Sequence, residues 1–83
     1  MKTFKERKRM ITALQDEIAS TPQKDMFGND KHKEPRIMIS IISGEYDLSE
    51  IREEHGEDSD ETSMAELAYE WLIGSLPDEE LLD

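Results

Sequence analysis

Five apolar side chains recur at helical spacing near the carboxy terminus, and this stripe constrains the fold more than any other sequence feature. Positions i, i+3, i+4, i+7 and i+8 are occupied by Met64, Leu67, Ala68, Trp71 and Leu72. This spacing places all five on one face of an amphipathic helix. Trp71 lies in the centre of the stripe, so we predict that it packs in a core rather than forming an exposed aromatic contact with Tyr69.

The ends of this helix are also marked in the sequence. Thr62 or Ser63 can cap its amino end, and Gly74 closes it. Residues 76–77 then begin a last acidic turn, 78–82, whose leucines either pack on the other helices or remain free.

Residues 3–20 predict a second amphipathic helix. Charged side chains occupy one face, and the other face consists of Phe4, Met10, Ile11, Ala13, Leu14 and Ile18. The amino end of this helix carries positive charge, which opposes the helix dipole. We therefore expect the first turn to fray unless Phe4 packs or the basic cluster meets an acidic surface.

Residues 35–43 are rich in isoleucine, and a short run of this kind can form a buried strand or a buried helix. We favour a helix, because Pro35 suits the first helical position and Gly44 suits a carboxy-terminal cap. The chain also offers no clear second strand with which a strand here could pair.

A further helix is predicted at residues 47–55. Asp47 followed three residues later by Glu50 is a capping-box pattern, and Gly56 is placed to end the helix. Residues 57–61 then form an acidic linker that precedes the helix with the apolar stripe.

The chain has 83 residues and no cysteine, so no disulfide or thiolate metal site supports its small core. We predict one all-α domain over residues 1–83, with three to five helices and a long loop around residues 20–34. Its parts are a helix at 3–20, a loop at 21–34 and an acidic helical part at 35–83. The basic start of the chain is not followed by an apolar signal core or a membrane-length apolar run, so we expect a soluble, cytoplasmic protein.

Charge is distributed unevenly along the chain. Residues 1–36 carry nine basic and six acidic side chains, whereas residues 37–83 carry one basic and fifteen acidic ones. An acidic half of this kind repels phosphate backbones, so we expect no direct nucleic-acid binding. Six of its carboxylates could imitate DNA phosphates: Glu53, Glu54, Glu57, Asp58, Asp60 and Glu61. They suggest a DNA mimic or antitoxin-like inhibitor of a basic nucleic-acid-binding protein, or simply a solvated surface.

No arrangement of residues typical of catalysis is present in the sequence. The serines have no histidine in a triad or nucleophile-elbow context, and the four glycines mark element ends rather than a phosphate-binding loop. His32 and His55 follow no metal-ligand spacing, and Asp58, Asp60 and Thr62 lack the remainder of a calcium loop. We therefore predict that the protein is not an enzyme and uses no cofactor or metal.

Residues 23–27 read Gln-Lys-Asp-Met-Phe and place two large apolar side chains in a polar gap between amphipathic segments. Pro22 disfavours helix before this pentapeptide, and Gly28 permits a turn after it. The segment can therefore be extended and presented to a partner. The alternative is that Met26 and Phe27 fold back and pin the loop onto the helices.

The pentapeptide resembles the bacterial sliding-clamp-binding motif, Gln-x-[Asp/Ser]-[Leu/Met]-Phe, carried by polymerases, mismatch-repair proteins and clamp-directed regulators. Its key positions are matched by Gln23, Asp25, Met26 and Phe27, while Lys24 stands where leucine is preferred. The resemblance covers these five residues only. It implies an extended peptide on the clamp, with the glutamine amide in a small pocket and the two apolar side chains in a hydrophobic cleft.

By this resemblance, the partner is the bacterial DNA polymerase sliding clamp. A compact protein in that cleft would exclude polymerases that use the same peptide and would inhibit or redirect DNA replication. Small regulators encoded by phages and mobile elements offer an analogy. A third interpretation, suggested by the small core, is a structural subunit of a larger assembly; the oligomeric state stays open.

Overall fold

Four α-helices and one short 3-10 helix make up the fold in the computed structural model, which describes residues 1–82. Helix α1 spans Phe4–Ser20, α2 Lys33–Ile42, α3 Leu48–His55 and α4 Asp60–Leu72, and the 3-10 helix spans Asp78–Glu80. Between residues 1 and 82 the only β-type pairing is one isolated bridge. The all-α prediction is therefore confirmed, as is helix rather than strand in the isoleucine-rich segment. Asp83, the last residue of the predicted acidic part, lies outside the described residues.

Helix α1 begins in a full capping box, so the expectation that its first turn frays is wrong. The Thr3 hydroxyl accepts from the Glu6 backbone N–H at 3.1 Å, and the Glu6 carboxylate accepts from the Thr3 N–H at 3.2 Å. This hydrogen bond from Thr3 lowers the pKa of Glu6. Phe4 does not pack, since its side chain is 72% exposed. The stabilisation by the Thr-x-x-Glu capping box outweighs the unfavourable effect of basic residues near the positive end of the helix dipole.

Helix α4 begins earlier than predicted. Its cap is Ser59, whose hydroxyl accepts from the Thr62 N–H at 3.2 Å, and neither Thr62 nor Ser63 has this role. Asp60 and Glu61 thus belong to the first helical turn, where negative charge favours the dipole. Thr62 is fully buried, and its hydroxyl donates to the Gly56 carbonyl oxygen at 2.6 Å.

Helices α2 and α3 follow their predicted signals closely. Pro35 occupies the third rather than the first position of α2. Its missing N–H is still no loss there, because the backbone N–H groups of the first helical turn have no carbonyl acceptor within the helix. Asp47 and Glu50 form the predicted capping box of α3. Gly56 ends α3 with a φ of 92°, a left-handed conformation that favours glycine.

The core lies where α4 packs on α2 and α3, and α1 closes it by packing on α2. Its buried apolar side chains are Met10, Leu14, Met38, Ile41, Ile42, Ile51, Ala65, Ala68, Trp71, Leu72 and Leu81. Trp71 is 2% exposed, which confirms its predicted core position. Its indole N–H donates to the Asp78 carboxylate at 2.7 Å, and Leu81 is buried, so the last turn packs on the helices.

The predicted stripe is shifted slightly on the surface of α4. Ala65 is fully buried, whereas Met64 and Leu67 lie partly exposed at the edges of the core. The lysine at position 2 contacts the carboxy end of α4, because its N–H donates to the Leu72 carbonyl oxygen at 2.8 Å. Within residues 1–82, no helix combines the length and the apolar character needed to cross a bilayer.

Candidate functional site: the hairpin at residues 23–31

Between α1 and α2 the pentapeptide forms one side of a short hairpin. Lys24 and Asp30 form an antiparallel bridge, and the Lys31 N–H donates to the Gln23 carbonyl oxygen at 2.6 Å. A tight turn follows, in which the Gly28 N–H donates to the Asp25 carbonyl oxygen at 3.0 Å. The segment is therefore folded back on itself in the free protein, and the extended form that the resemblance implies belongs to the clamp-bound peptide alone.

The side chain of Asp25 holds the turn together. Its Oδ1 accepts from the backbone N–H of Phe27 at 2.8 Å and of Asn29 at 3.0 Å, and its Oδ2 accepts from the Asn29 side-chain amide at 3.2 Å. Aspartate commonly organises turns in this way. The hydrogen bond from the Asn29 backbone is the main reason why the pKa of Asp25 is lowered.

Met26 and Phe27 occupy the two central positions of this turn, so their side chains lie at its tip. Met26 is 89% exposed and Phe27 is 82% exposed. The alternative in which they pin the loop onto the helices is therefore wrong. Gln23 is exposed as well, whereas Asp25 is half-buried by the turn that it supports. The structure thus brings all four motif residues into one hairpin and leaves both apolar side chains accessible.

The base of the hairpin is held by His32, a role that the sequence analysis missed. Its Nε2–H donates to the Thr21 carbonyl oxygen at 2.6 Å, joining the two ends of the loop. Arg36 lies 3.4 Å from the other ring nitrogen and 3.7 Å from the Asp30 carboxylate. The link between Thr21 and His32 spans eleven residues, and no local pattern announces a contact of that separation.

The six carboxylates singled out for DNA mimicry do not all behave alike. Glu61 pairs with Lys33 at 2.7 Å, a hydrogen bond that lowers the pKa of Glu61 and raises that of Lys33. This pair joins the start of α2 to the first turn of α4. The other five lie exposed at the end of α3, in the α3–α4 connection and at the start of α4: Glu53, Glu54, Glu57, Asp58 and Asp60.

Side chains suited to metal binding are not clustered. In the part of the chain that the structure describes, no group of three or more His, Cys, Asp or Glu residues is arranged to hold a metal ion. His55 lies exposed at the carboxy end of α3, where an imidazole complements the helix dipole.

The turn should respond to the titration of Asp25. Because the folded pKa lies below the ordinary aspartate value of 3.8, the turn is most stable above that value and loses stability as the pH falls through the lowered pKa. In an NMR titration, the amide signals of Phe27 and Asn29 should share an inflection below pH 3.8. In Asp25→Ala, both amides should exchange faster with solvent while α1 keeps its protection. An inflection at or above the ordinary value would contradict the assigned hydrogen bonds.

Comparison of the chain with protein-family models, with curated proteins and with solved structures finds no match.

Proposed function

We propose that this protein binds the bacterial DNA polymerase sliding clamp through Gln23, Asp25, Met26 and Phe27, and thereby inhibits or modulates DNA replication. The observation that carries the proposal is the exposure of Met26 and Phe27 at the tip of an ordered hairpin. Two adjacent large apolar side chains at the tip of a turn form a small apolar surface suited to contact with a partner. Together with the exposed amide of Gln23, they supply one polar and two apolar anchors for a pocketed partner.

The hairpin can open without disturbing the core. None of the buried core side chains comes from residues 21–32. The hydrogen bonds of Asp25 are exposed to water, which competes for the same groups, so they add little to the stability of the segment. Local opening of such a segment requires far less free energy than global unfolding. The peptide can therefore become extended on a clamp surface while the four helices remain folded.

Binding of this kind would act by competition. A clamp cleft occupied by Met26 and Phe27 cannot hold the equivalent peptide of a polymerase. Replication would therefore slow, or a different polymerase would continue it. The helical body attached at both ends of the hairpin adds bulk over the clamp, which blocks access more effectively than a free peptide of the same affinity.

Calorimetric titration of the protein into a purified bacterial sliding clamp tests the proposal. We expect micromolar or tighter binding, displaced by a clamp-binding peptide from a polymerase and weakened at least about tenfold, or about 1.4 kcal/mol, in Gln23→Ala/Phe27→Ala. The matched control is Gln15→Ala/Phe4→Ala, which removes the same two residue types from exposed positions on α1. This control should bind like the wild type. Absence of binding, or equal weakening by both double variants, would refute the proposal.

A second candidate function rests on the five exposed carboxylates between Glu53 and Asp60. Because these carboxylates lie close together in the chain, they could present phosphate-like charge to a basic nucleic-acid-binding protein. Association of this kind should weaken steeply as salt rises, because exposed charges are screened. It should also be insensitive to Gln23→Ala and Phe27→Ala, which separates it from clamp binding.

A further inference from the structure

Two arginines have a buried nitrogen atom without a hydrogen-bond acceptor. In residues 1–82, the buried side-chain nitrogen and oxygen atoms that lack a partner are the Nε atoms of Arg7 and Arg52. Arg52 has only a 3.8 Å contact with the exposed carboxylate of Glu66. Arg7 takes part in none of the ion pairs of the described residues. Buried donors without acceptors are unfavourable. The Nε atoms themselves are covered, but Arg7 is half-buried and the Arg52 side chain is 42% exposed, so the guanidinium groups are partly accessible to an external carboxylate.

Both arginines line the same shallow groove, which lies between α1, the α2–α3 connection, α3 and α4. Its walls are mostly apolar and include Met1, Ile41, Tyr46, Leu48, Tyr69 and Leu72. Arg7 also lines an adjoining apolar concavity that contains Phe4. Outside the hairpin, most of the exposed large hydrophobic side chains belong to these two concavities: Met1, Phe4, Tyr46 and Tyr69.

We propose that this groove is a self-association surface that binds a second copy of the same chain. Copies related by a two-fold axis apply the same face to each other, so the two apolar walls meet. Charge complementarity favours this occupant, because Asp47, whose Oδ1 caps α3, lines the groove together with Arg7 and Arg52. A second copy therefore brings both the apolar side chains and a carboxylate of opposite charge to the two arginines.

The net charge of −11 limits where two copies can meet. Contact through the acidic surface brings like charges together, which opposes association. The lining of the groove contains two arginines and one carboxylate, so repulsion between copies is weakest there. A chain with so small a core also gains buried apolar surface by dimerising.

The size of the groove indicates a modest affinity. A standard interface covers about 800 Å² of each partner, and the whole surface measures 5628 Å². The residues that line the two concavities are fewer than the roughly 20 per partner found in stable interfaces. We therefore expect a weak dimer, one that dissociates at micromolar concentrations.

Sedimentation equilibrium between about 10 µM and about 1 mM protein tests this surface over the expected range. The weight-average mass should rise with concentration from 9.6 kDa toward twice that value. Tyr69→Glu should remain near the monomer mass, and so should Tyr46→Glu, which changes a connection rather than a helix. Circular dichroism should show that at least one of these variants keeps the helical content of the wild type.

The matched control is Phe27→Glu, which makes the same change from aromatic to carboxylate at the exposed tip of the hairpin. It should associate as the wild type does. The inference is overturned if the wild type stays at 9.6 kDa over the whole range. The inference is also overturned if association survives both tyrosine substitutions. The same holds if Phe27→Glu abolishes association while the two tyrosine substitutions leave it intact.

Discussion

Replacement of Trp71 by alanine is expected to lower the free energy of unfolding by about 3–5 kcal/mol, the usual cost of removing a buried tryptophan. Trp71 is among the largest fully buried side chains of the domain and links the core to the last turn through Asp78. The ammonium of Lys2 also lies 5.0 Å from the centre of its ring, so the amino terminus is attached at the same point. A domain of this size has a total stability of about 4–12 kcal/mol, so the substitution should remove between about a quarter and all of it.

Urea unfolding followed by circular dichroism measures this loss of stability. Two further variants separate the contribution of the aromatic ring from that of its N–H hydrogen bond. Trp71→Phe retains an aromatic ring and should lose distinctly less stability than Trp71→Ala. Asp78→Ala leaves the ring in place but removes the acceptor of its N–H, which should cost about 1–3 kcal/mol. A Trp71→Ala protein with wild-type stability would contradict the core described above.

Leu14→Ala is expected to destabilise the domain by about 2–5 kcal/mol, for lost burial and for the cavity left behind. Leu14 has no exposed surface and lies on the face of α1 that packs on α2. Because α1 is the outermost helix of the core, its detachment should expose the apolar face of α2 as well. Thermal unfolding should therefore show one cooperative transition at a lower temperature.

The matched control for Leu14→Ala is Gln15→Ala, one position further along α1. Gln15 is exposed, and alanine is the better helix former, so stability should change by no more than about 0.5 kcal/mol. Equal effects of the two substitutions would mean that α1 is held by its caps and not by its apolar face. A separate early transition in Leu14→Ala would mean that α1 unfolds independently of α2–α4.

The local signals in the sequence predicted most of the secondary structure. The spacing of apolar residues located α1, α2 and α4, and the Asp47–Glu50 pattern located α3 together with its cap. These features depend on contacts within four residues along a helix, so they can be read without knowledge of the tertiary structure. The capping box that Thr3 and Glu6 form at the start of α1 is a local signal of the same kind.

Helix starts were less predictable where several residues could serve as a cap. Ser59, Thr62 and Ser63 each have a hydroxyl suited to this role, and propensity does not separate them. The tertiary structure chose Ser59, because Thr62 is needed in the buried contact with Gly56. A buried hydroxyl must keep its hydrogen bonds, and this requirement sets the register of the helix.

For the candidate site, the sequence by itself determined which residues stand together: the pentapeptide, the helix-breaking Pro22 and the turn-forming Gly28. Only the tertiary structure decided that Asp25 folds the segment into a hairpin and that His32 closes its base on Thr21. It alone brought Arg7 and Arg52, 45 positions apart in the chain, to one groove. The physical reason is that exposure and long-range pairing depend on how the helices pack, whereas the sequence pattern reports only neighbours along the chain.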